Sequence, residues 1–291
     1  MKSIFVVAHH TRGEIAQLLT DLESWCSKHG HHLWMLPADA IARGCEHLAS
    51  DRAAMDADVV LSLGGDGTVL RAVHLLDGAP VPILGVNVGT LGYLTEIEPS
   101  ECISSLQRWV DGRVDKDFII DKRMMLTVLL KRASGGTDLS WRALNEAVLE
   151  KQQSGHTVWL DVVINSELFA TYSADGLIVS TPTGSTAYAL SAGGPILHPR
   201  VPGIVLVPIA PHALSNRPIV LAQESIIAIE VVGGREVIVN FDMQSLTKLQ
   251  IGDQVEVRLS DKSISLLHPL GHSDYQTLRE KLHWNEYPST S

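Results

Sequence analysis

"VVLSLGGDGTVLRAV", residues 59–73, decides the fold. Its first five residues form an apolar run that reads as a buried strand. Its last six carry apolar residues at helical spacing. Between them stand three glycines, Gly64, Gly65 and Gly67, around one carboxylate, Asp66. A strand that feeds a glycine loop and then a helix is a phosphate-cradling unit, because bare backbone amides near a helix start attract anions. A carboxylate in that loop does not help to hold an anion. It makes sense where the loop also acts on a hydroxyl beside the phosphates. A tight structural turn whose aspartate caps the next helix is the competing reading.

Two familiar loops are absent. No GxxxxGKS/T is present, and Leu70 stands where a GxGxxG loop needs its third glycine. Arg71, five residues after Asp66, lies one and a half helical turns on, within reach of a phosphate or solvated on the surface.

Outward from this unit the chain alternates. "SIFVVA", "HLWML" and "VPILGVN" read as strands, and "GEIAQLLTDLESWCSKHG", with Gly30 as its stop, as a helix. "CEHLASDRAAM" and "PSECISSLQRWV" also read as helical. Strand and helix in turn imply a mainly parallel sheet covered on both faces. From about Asp117 the rhythm changes to many short strands, among them "TVWLDVVIN", "GLIVST", "GIVLVPI", "QVEVRLS" and "SISLLHP", joined by turns such as "LSDKS". "SDYQTLREKLHW" returns to helical spacing. The expected architecture is an α/β N-terminal domain over residues 1–116, an all-β C-terminal domain over 117–268, and a C-terminal helix within 269–291 that returns to the first domain. With no flexible linker, the ligand site is expected between the two domains.

The bulk numbers limit the partners. The chain has 291 residues, 45% hydrophobic and 19% charged, with a formal net charge of −10. An acidic chain argues against a nucleic-acid or anionic-membrane surface. Its first apolar run, Ile4 to Ala8, is too short for a signal peptide, and no later run approaches membrane-spanning length. Cys26, Cys45 and Cys102 show no CxxC spacing, as suits thiols of a reducing cytoplasm. Thirteen histidines include the clusters His9-His10 and His29 to His32, neither with a third ligand at zinc-site spacing, so no transition-metal site is expected. His9 and His10 do end the first strand on the edge where α/β proteins bind ligands, which suits an auxiliary phosphate contact.

"DGLIVSTPTGSTAYALSAGGPI", residues 175–196, is the least ordinary stretch. Four hydroxyl side chains, Thr181, Thr183, Ser185 and Thr186, crowd one turn before a helix-like run. Short hydroxyls and free amides suit ribose and phosphate contacts; a Ser/Thr-rich turn with a helix cap is the plainer reading. In "LNEAVLEK", Asn145 and Glu146 can bind the paired hydroxyls of a ribose if a strand end turns both the same way.

Taken with "NVGTLGYLTE" (87–96) and "PIAPHALSNRPIV" (208–220), these stretches resemble the bacterial NAD kinase family, within the group that includes diacylglycerol-kinase-like enzymes and phosphofructokinases. The resemblance implies transfer of the ATP γ-phosphate to the 2′-hydroxyl of the adenosine ribose of NAD, with Mg²⁺ carried by ATP, in a homo-oligomer. It implies Asp66 as proton acceptor, with Gly67 and Arg71 at the nucleotide. Asn145 and Glu146 match the dipeptide at the adenosine ribose. His156, Ser173 and Asp175 match dinucleotide contacts, and Thr186, Ala187, Tyr188, Ala189, Leu190 and Ser191 the main NAD-contacting turn. Gln244 in "NFDMQ" completes the set, although Met243 stands where many relatives carry glycine, and Ser173 where a basic residue is common. A lipid kinase of the same group would share Asp66, and a non-catalytic NAD(P)-binding regulator would share the binding features.

Overall fold

The computed structural model describes residues 1–9, 13–90, 92–153, 155–234, 236–242 and 244–284. The chain forms two compact units, one of residues 1–122 together with the chain from Ile264 onward, the other of Arg123–Ser263. Both boundaries fall inside long strands, where hydropathy shows no break.

The first unit opens with β1 (Ser3–Ala8), α1 (Glu14–His29), β2 (His32–Trp34) and α2 (Pro37–Arg43). It continues through β3 (Val59–Gly64), α3 (Asp66–Leu76), β4 (Ile83–Asn87), α4 (Cys102–Val110) and the single-turn α5 (Val114–Asp117). The strands lie in the order β2-β1-β3-β4, each pair parallel, and Leu266 and Leu267 pair in parallel beyond β4. All six residues of β3 are buried, as a strand covered on both faces requires. Helix α1 buries Ile15, Leu18, Leu19, Leu22 and Cys26, one stripe at helical spacing, against a core that includes Val6, Leu61 and Val86.

The helix expected over "CEHLASDRAAM" is not there. α2 precedes it, started by Pro37 and stopped by Gly44 in the left-handed region, and residues 45–56 hold two 3-10 turns, at Glu46–Leu48 and Ala54–Asp56. Proline at the start and glycine just past the end outweigh the apolar spacing that follows.

β5 (Phe118–Lys131) runs into the second unit, followed by β6 (Leu139–Ala143), β7 (Glu146–Lys151), β8 (Val158–Ile164), β9 (Glu167–Ala174) and β10 (Gly176–Ser180). Then come α6 (Tyr188–Ser191), β11 (Gly203–Ile209), β12 (Ile219–Ala222), β13 (Ile227–Gly233), β14 (Val237–Phe241), β15 (Gln244–Leu249) and β16 (Gln254–Pro269). One sheet has the order β12-β11-β10-β7-β14-β15; in the other β16 is followed by β13, β8 and β9, and β5 pairs with β16 and β6. The registered pairs of this unit are antiparallel. A single apolar core draws on both sheets, with Leu149 and Val179 from one and Leu160 and Val257 from the other.

Two details correct the sequence reading. "QVEVRLS" and "SISLLHP" are one strand, β16, because "LSDKS" is its solvated middle, where the Ser260 hydroxyl accepts the Lys262 N–H. The helix expected over "AYALSAG" is only the four residues of α6, preceded by a 3-10 turn at Gly184–Thr186. The last helix, α7 (Asp274–Lys281), belongs to the first unit and holds Lys281 Nζ 5.5 Å over the Tyr93 ring.

Candidate active site

Helix α3 starts at Asp66 itself, so the aspartate and Gly67 form its first turn. Gly65 is the N-cap and the Asp66 side chain caps nothing, contrary to the structural-turn reading. Its carboxylate reaches across to a loop instead. Oδ2 accepts the Tyr93 N–H at 2.8 Å and Oδ1 the Leu94 N–H at 2.9 Å. This grip requires a glycine at 92, since a Cβ there would run into the Asp66 carboxylate and come 2.7 Å from the Thr95 hydroxyl. The three loop glycines divide by role. Gly64 packs under Thr68, whereas nothing lies within 4 Å of where a Cβ would stand on Gly65 or Gly67. Those two face a pocket of about 300 Å³ with Asp66, Thr68, Thr90, His9 and Lys281 in its walls. Lys281 went unnoticed in the sequence because it lies 215 residues from Asp66 on another helix. His10 lies outside the described residues.

Arg71 points elsewhere. Its Nη2 lies 2.6 Å from Oδ1 of Asp39, a carboxylate only 1% exposed. Near a buried acid the guanidinium stabilises a charge that would otherwise be costly to desolvate.

In the second unit, Asn145 immediately precedes β7 and Glu146 opens it, so the strand end turns both into one pocket of about 510 Å³. The pocket is also lined by Val148, Glu150, Ala187, Tyr188 and Asn240. Glu146, Val148 and Glu150 follow the two-residue period of a strand face, a signal that could have added the last two. The turn at Asn145 is built by Asp242, whose carboxylate accepts the N–H groups of Leu144, Asn145 and Glu146 at 2.7, 2.7 and 3.1 Å. Asp242 was visible only as part of "NFDMQ"; Met243 lies outside the described residues.

The Ser/Thr cluster turns out to be architectural. Thr181 Oγ1 donates to the Leu144 carbonyl at 2.6 Å and accepts the Gly184 N–H, and the Thr181 N–H donates to the Asn145 carbonyl at 2.8 Å. Ser185 Oγ donates to the Pro182 carbonyl at 2.6 Å, Thr186 Oγ1 to that of Thr183 at 3.3 Å, and Thr183 Oγ1 accepts from Arg123 at 3.5 Å. Thr181 holds the Asn145 turn, while Ser185 and Thr186 brace the 3-10 turn that follows. Gly184 lies so close over the Asn145 carbonyl that any Cβ would overlap it.

Burial, and next the nearby Asp242 charge, push the Glu146 carboxyl up from 4.5 to about 8. Its Oε2 is buried without a hydrogen-bond partner, a cost that a ligand hydroxyl would relieve. Glu150 accepts from Asn240 at 2.7 Å and from the Tyr188 hydroxyl at 3.4 Å. Asp175 accepts from Lys151 at 2.6 Å. Of the other candidates, Ala187 and Tyr188 line the pocket, and Ala189 packs beneath it with Ile178 and Val205. Thr186, Leu190 and Ser173 are half-buried, and His156, Ser191 and Gln244 are exposed; none of these six, nor Asp175, is in the pocket lining.

Comparison with known proteins places these features in a lineage. The model of the ATP-NAD kinase N-terminal domain matches residues 4–114, and that of the ATP-NAD kinase C-terminal domain matches 144–268. The chain belongs to the NAD kinase family. An NAD kinase of Ralstonia nicotianae is 44% identical over 99% of this chain and 95% of its own length. One of Cupriavidus pinatubonensis is also 44% identical, over 99% of this chain and 94% of its own. Among solved structures, yeast NADH kinase complexed with NADH superposes with a TM-score of 0.89 at 24% identity, covering 100% of this chain and 90% of that one. An NAD kinase from Archaeoglobus fulgidus in complex with ATP gives 0.74 at 22%, covering 97% and 98%. At those identities the two structures speak for the fold, which this NAD kinase family member shares.

Proposed function

We propose that this chain, as an NAD kinase, transfers the γ-phosphate of ATP to the 2′-hydroxyl of the adenosine ribose of NAD, giving NADP and ADP. The observation that carries the reading is Asp66, a carboxylate fixed by two amides in the wall of a pocket whose other walls include bare glycine backbone and Lys281. In this reading the amides of Gly65 and Gly67 with Lys281 hold the triphosphate, and Asn145 and Glu146 hold ribose hydroxyls.

Asp66 aligns the attacking oxygen and takes its proton. The O2′–P bond forms as the bond from phosphorus to the ADP oxygen breaks. In a loose transition state the bond to the attacking oxygen is only slightly formed, so early removal of its proton gains little and alignment is the larger part of that role. The lining offers a single carboxylate, Asp66, so an Mg²⁺ brought by ATP would be held mainly by phosphate and water oxygens, and it would supply neutralisation of charge on the transferring phosphoryl group.

No helix among the described residues is long and apolar enough to cross a membrane, and the three cysteines are buried free thiols. The free thiols suit a reducing compartment, and we take the enzyme to be cytoplasmic and to work as a homo-oligomer. The test is a coupled assay with purified protein, ATP, Mg²⁺ and NAD, with diacylglycerol as the rival acceptor. NADP formation that depends on Asp66 supports the reading. Phosphorylated lipid, or equal turnover by Asp66→Asn, overturns it.

A further inference from the structure

Thirteen histidines gave no metal motif in the sequence, yet the fold gathers two of them with a carboxylate. Glu96 lies after β4, His268 near the end of β16, and His272 just before α7. One ligand atom from each of the three falls within 4.8 Å of the others. We propose that Glu96, His268 and His272 form a binding site for a divalent transition-metal ion of the zinc class.

The orientation of the two rings supports this. Each presents Nδ1 to the same carboxylate: His268 Nδ1 lies 3.2 Å from Glu96 Oε2, and His272 Nδ1 contacts Oε1. The rings stack 4.1 Å apart at an interplanar angle of 10°, so a rotation of one ring about its Cβ–Cγ bond is needed to bring both Nδ1 lone pairs onto one ion. The opposite nitrogens face carboxylates too. His272 Nε2 is 3.3 Å from Asp274 Oδ1, and His268 Nε2 is 3.6 Å from Asp121 Oδ2. For His272, one nitrogen toward the shared centre and the other bonded to a carboxylate is the arrangement that fixes the tautomer in metal-ligating histidines.

His268 is 2% exposed and its Nε2 makes no hydrogen bond. A buried nitrogen without a hydrogen bond is costly, and a divalent ion held by the cluster would satisfy ligand atoms of both rings and of Glu96. Two nitrogens and one carboxylate oxygen suit zinc-class ions better than Mg²⁺ or Ca²⁺. Binding displaces any proton shared between an Nδ1 and Glu96 into solvent. A pocket of about 300 Å³ lined by Glu96, His272, Ser273 and Gln276 gives access and room for a water as fourth ligand.

The ion would tie three segments together. Glu96 is two residues from Leu94, whose amide holds Asp66, and His272 precedes the helix that carries Lys281. The site is thus a clasp on the wall of the phosphate pocket.

The test uses the metal-free full chain, titrated separately with Zn²⁺ by calorimetry and with Co²⁺ by visible d–d absorption. The expected result is one equivalent bound, with the intense bands of a four-coordinate nitrogen–oxygen site. His272→Ala should abolish that equivalent, and Asp274→Asn should weaken it by about 10–100-fold. Circular dichroism checks that both variants fold; if His272→Ala does not, Asp274→Asn decides. Absence of binding by the wild-type chain, or binding unchanged in the variants as adventitious surface histidines would give, overturns the proposal.

Discussion

Replacing Glu146 by Gln isolates a single titration. In the folded chain this carboxyl is 3% exposed and its affinity for a proton is raised from 4.5 to about 8, first by burial and then by Asp242. Between those two values the folded protein keeps a proton that the unfolded chain has released. The stability contributed by this proton therefore falls as pH rises through that window, and that contribution is gone above about 8. At about 1.4 kcal/mol for each pH unit, the gap comes to about 5 kcal/mol. Glutamine has nothing to titrate, so urea unfolding of Glu146→Gln should decline less between pH 5 and pH 8 than that of the wild type, by an amount of that order. Every other ionisable group is common to both proteins, and among them Asp242 is the one whose charge acts on Glu146. If ribose hydroxyls donate to Glu146 as proposed, they favour its ionised form, so NAD binding at neutral pH should release close to one proton from the wild type and none from the variant. Calorimetry in two buffers of different ionisation enthalpy reads this directly. Parallel pH–stability curves for the two proteins would refute the reasoning.

Asp66→Asn keeps one acceptor but turns an amide donor toward a backbone N–H. It should cost about 1–3 kcal/mol of stability and lower turnover by about 10²–10⁴-fold, measured by thermal unfolding and NADP formation; wild-type turnover contradicts the assignment. Gly92→Ala forces a methyl onto the Asp66 carboxylate, so turnover should collapse while NAD binding, read by calorimetry, changes little. Asp242→Asn loses the acceptor capacity that three amides share; about 1–3 kcal/mol of stability should go, and equilibrium binding should show weaker affinity for NAD as the Asn145 turn relaxes.

The strand, glycine loop and helix of residues 59–76 were legible because each rests on local chemistry: an apolar run, bare backbone and a helical stripe. The Asn145-Glu146 pair was legible as a pair, and the strand end that turns both one way is what the alternation of a strand could not decide. What stayed hidden depends on distant partners. Asp66 is held by amides 27 and 28 residues away, and the Asn145 turn by a carboxylate 96 to 98 residues away. Glu96 meets its two histidines across 172 and 176 residues, beyond any motif spacing. The hydroxyls of "TPTGST" bond backbone carbonyls, partners that sequence alone does not separate from a ligand, because the same side chains suit both.

A carboxyl pushed up to about 8 is itself a candidate proton acceptor near neutral pH, so Glu146 competes with Asp66 for the catalytic role. The surroundings separate them. Glu146 stands beside Asp242 and in a pocket shared with Glu150, and a polyanionic triphosphate brought to that acidic group would be repelled. Asp66 stands among the open backbone of Gly65 and Gly67, with Lys281 and His9 in the same walls, where phosphate is welcomed. An oxygen that attacks phosphorus must meet both its proton acceptor and the phosphoryl group at one point. The cation and open backbone beside Asp66 favour it for the reacting hydroxyl, and the acids beside Glu146 favour recognition of the sugar there.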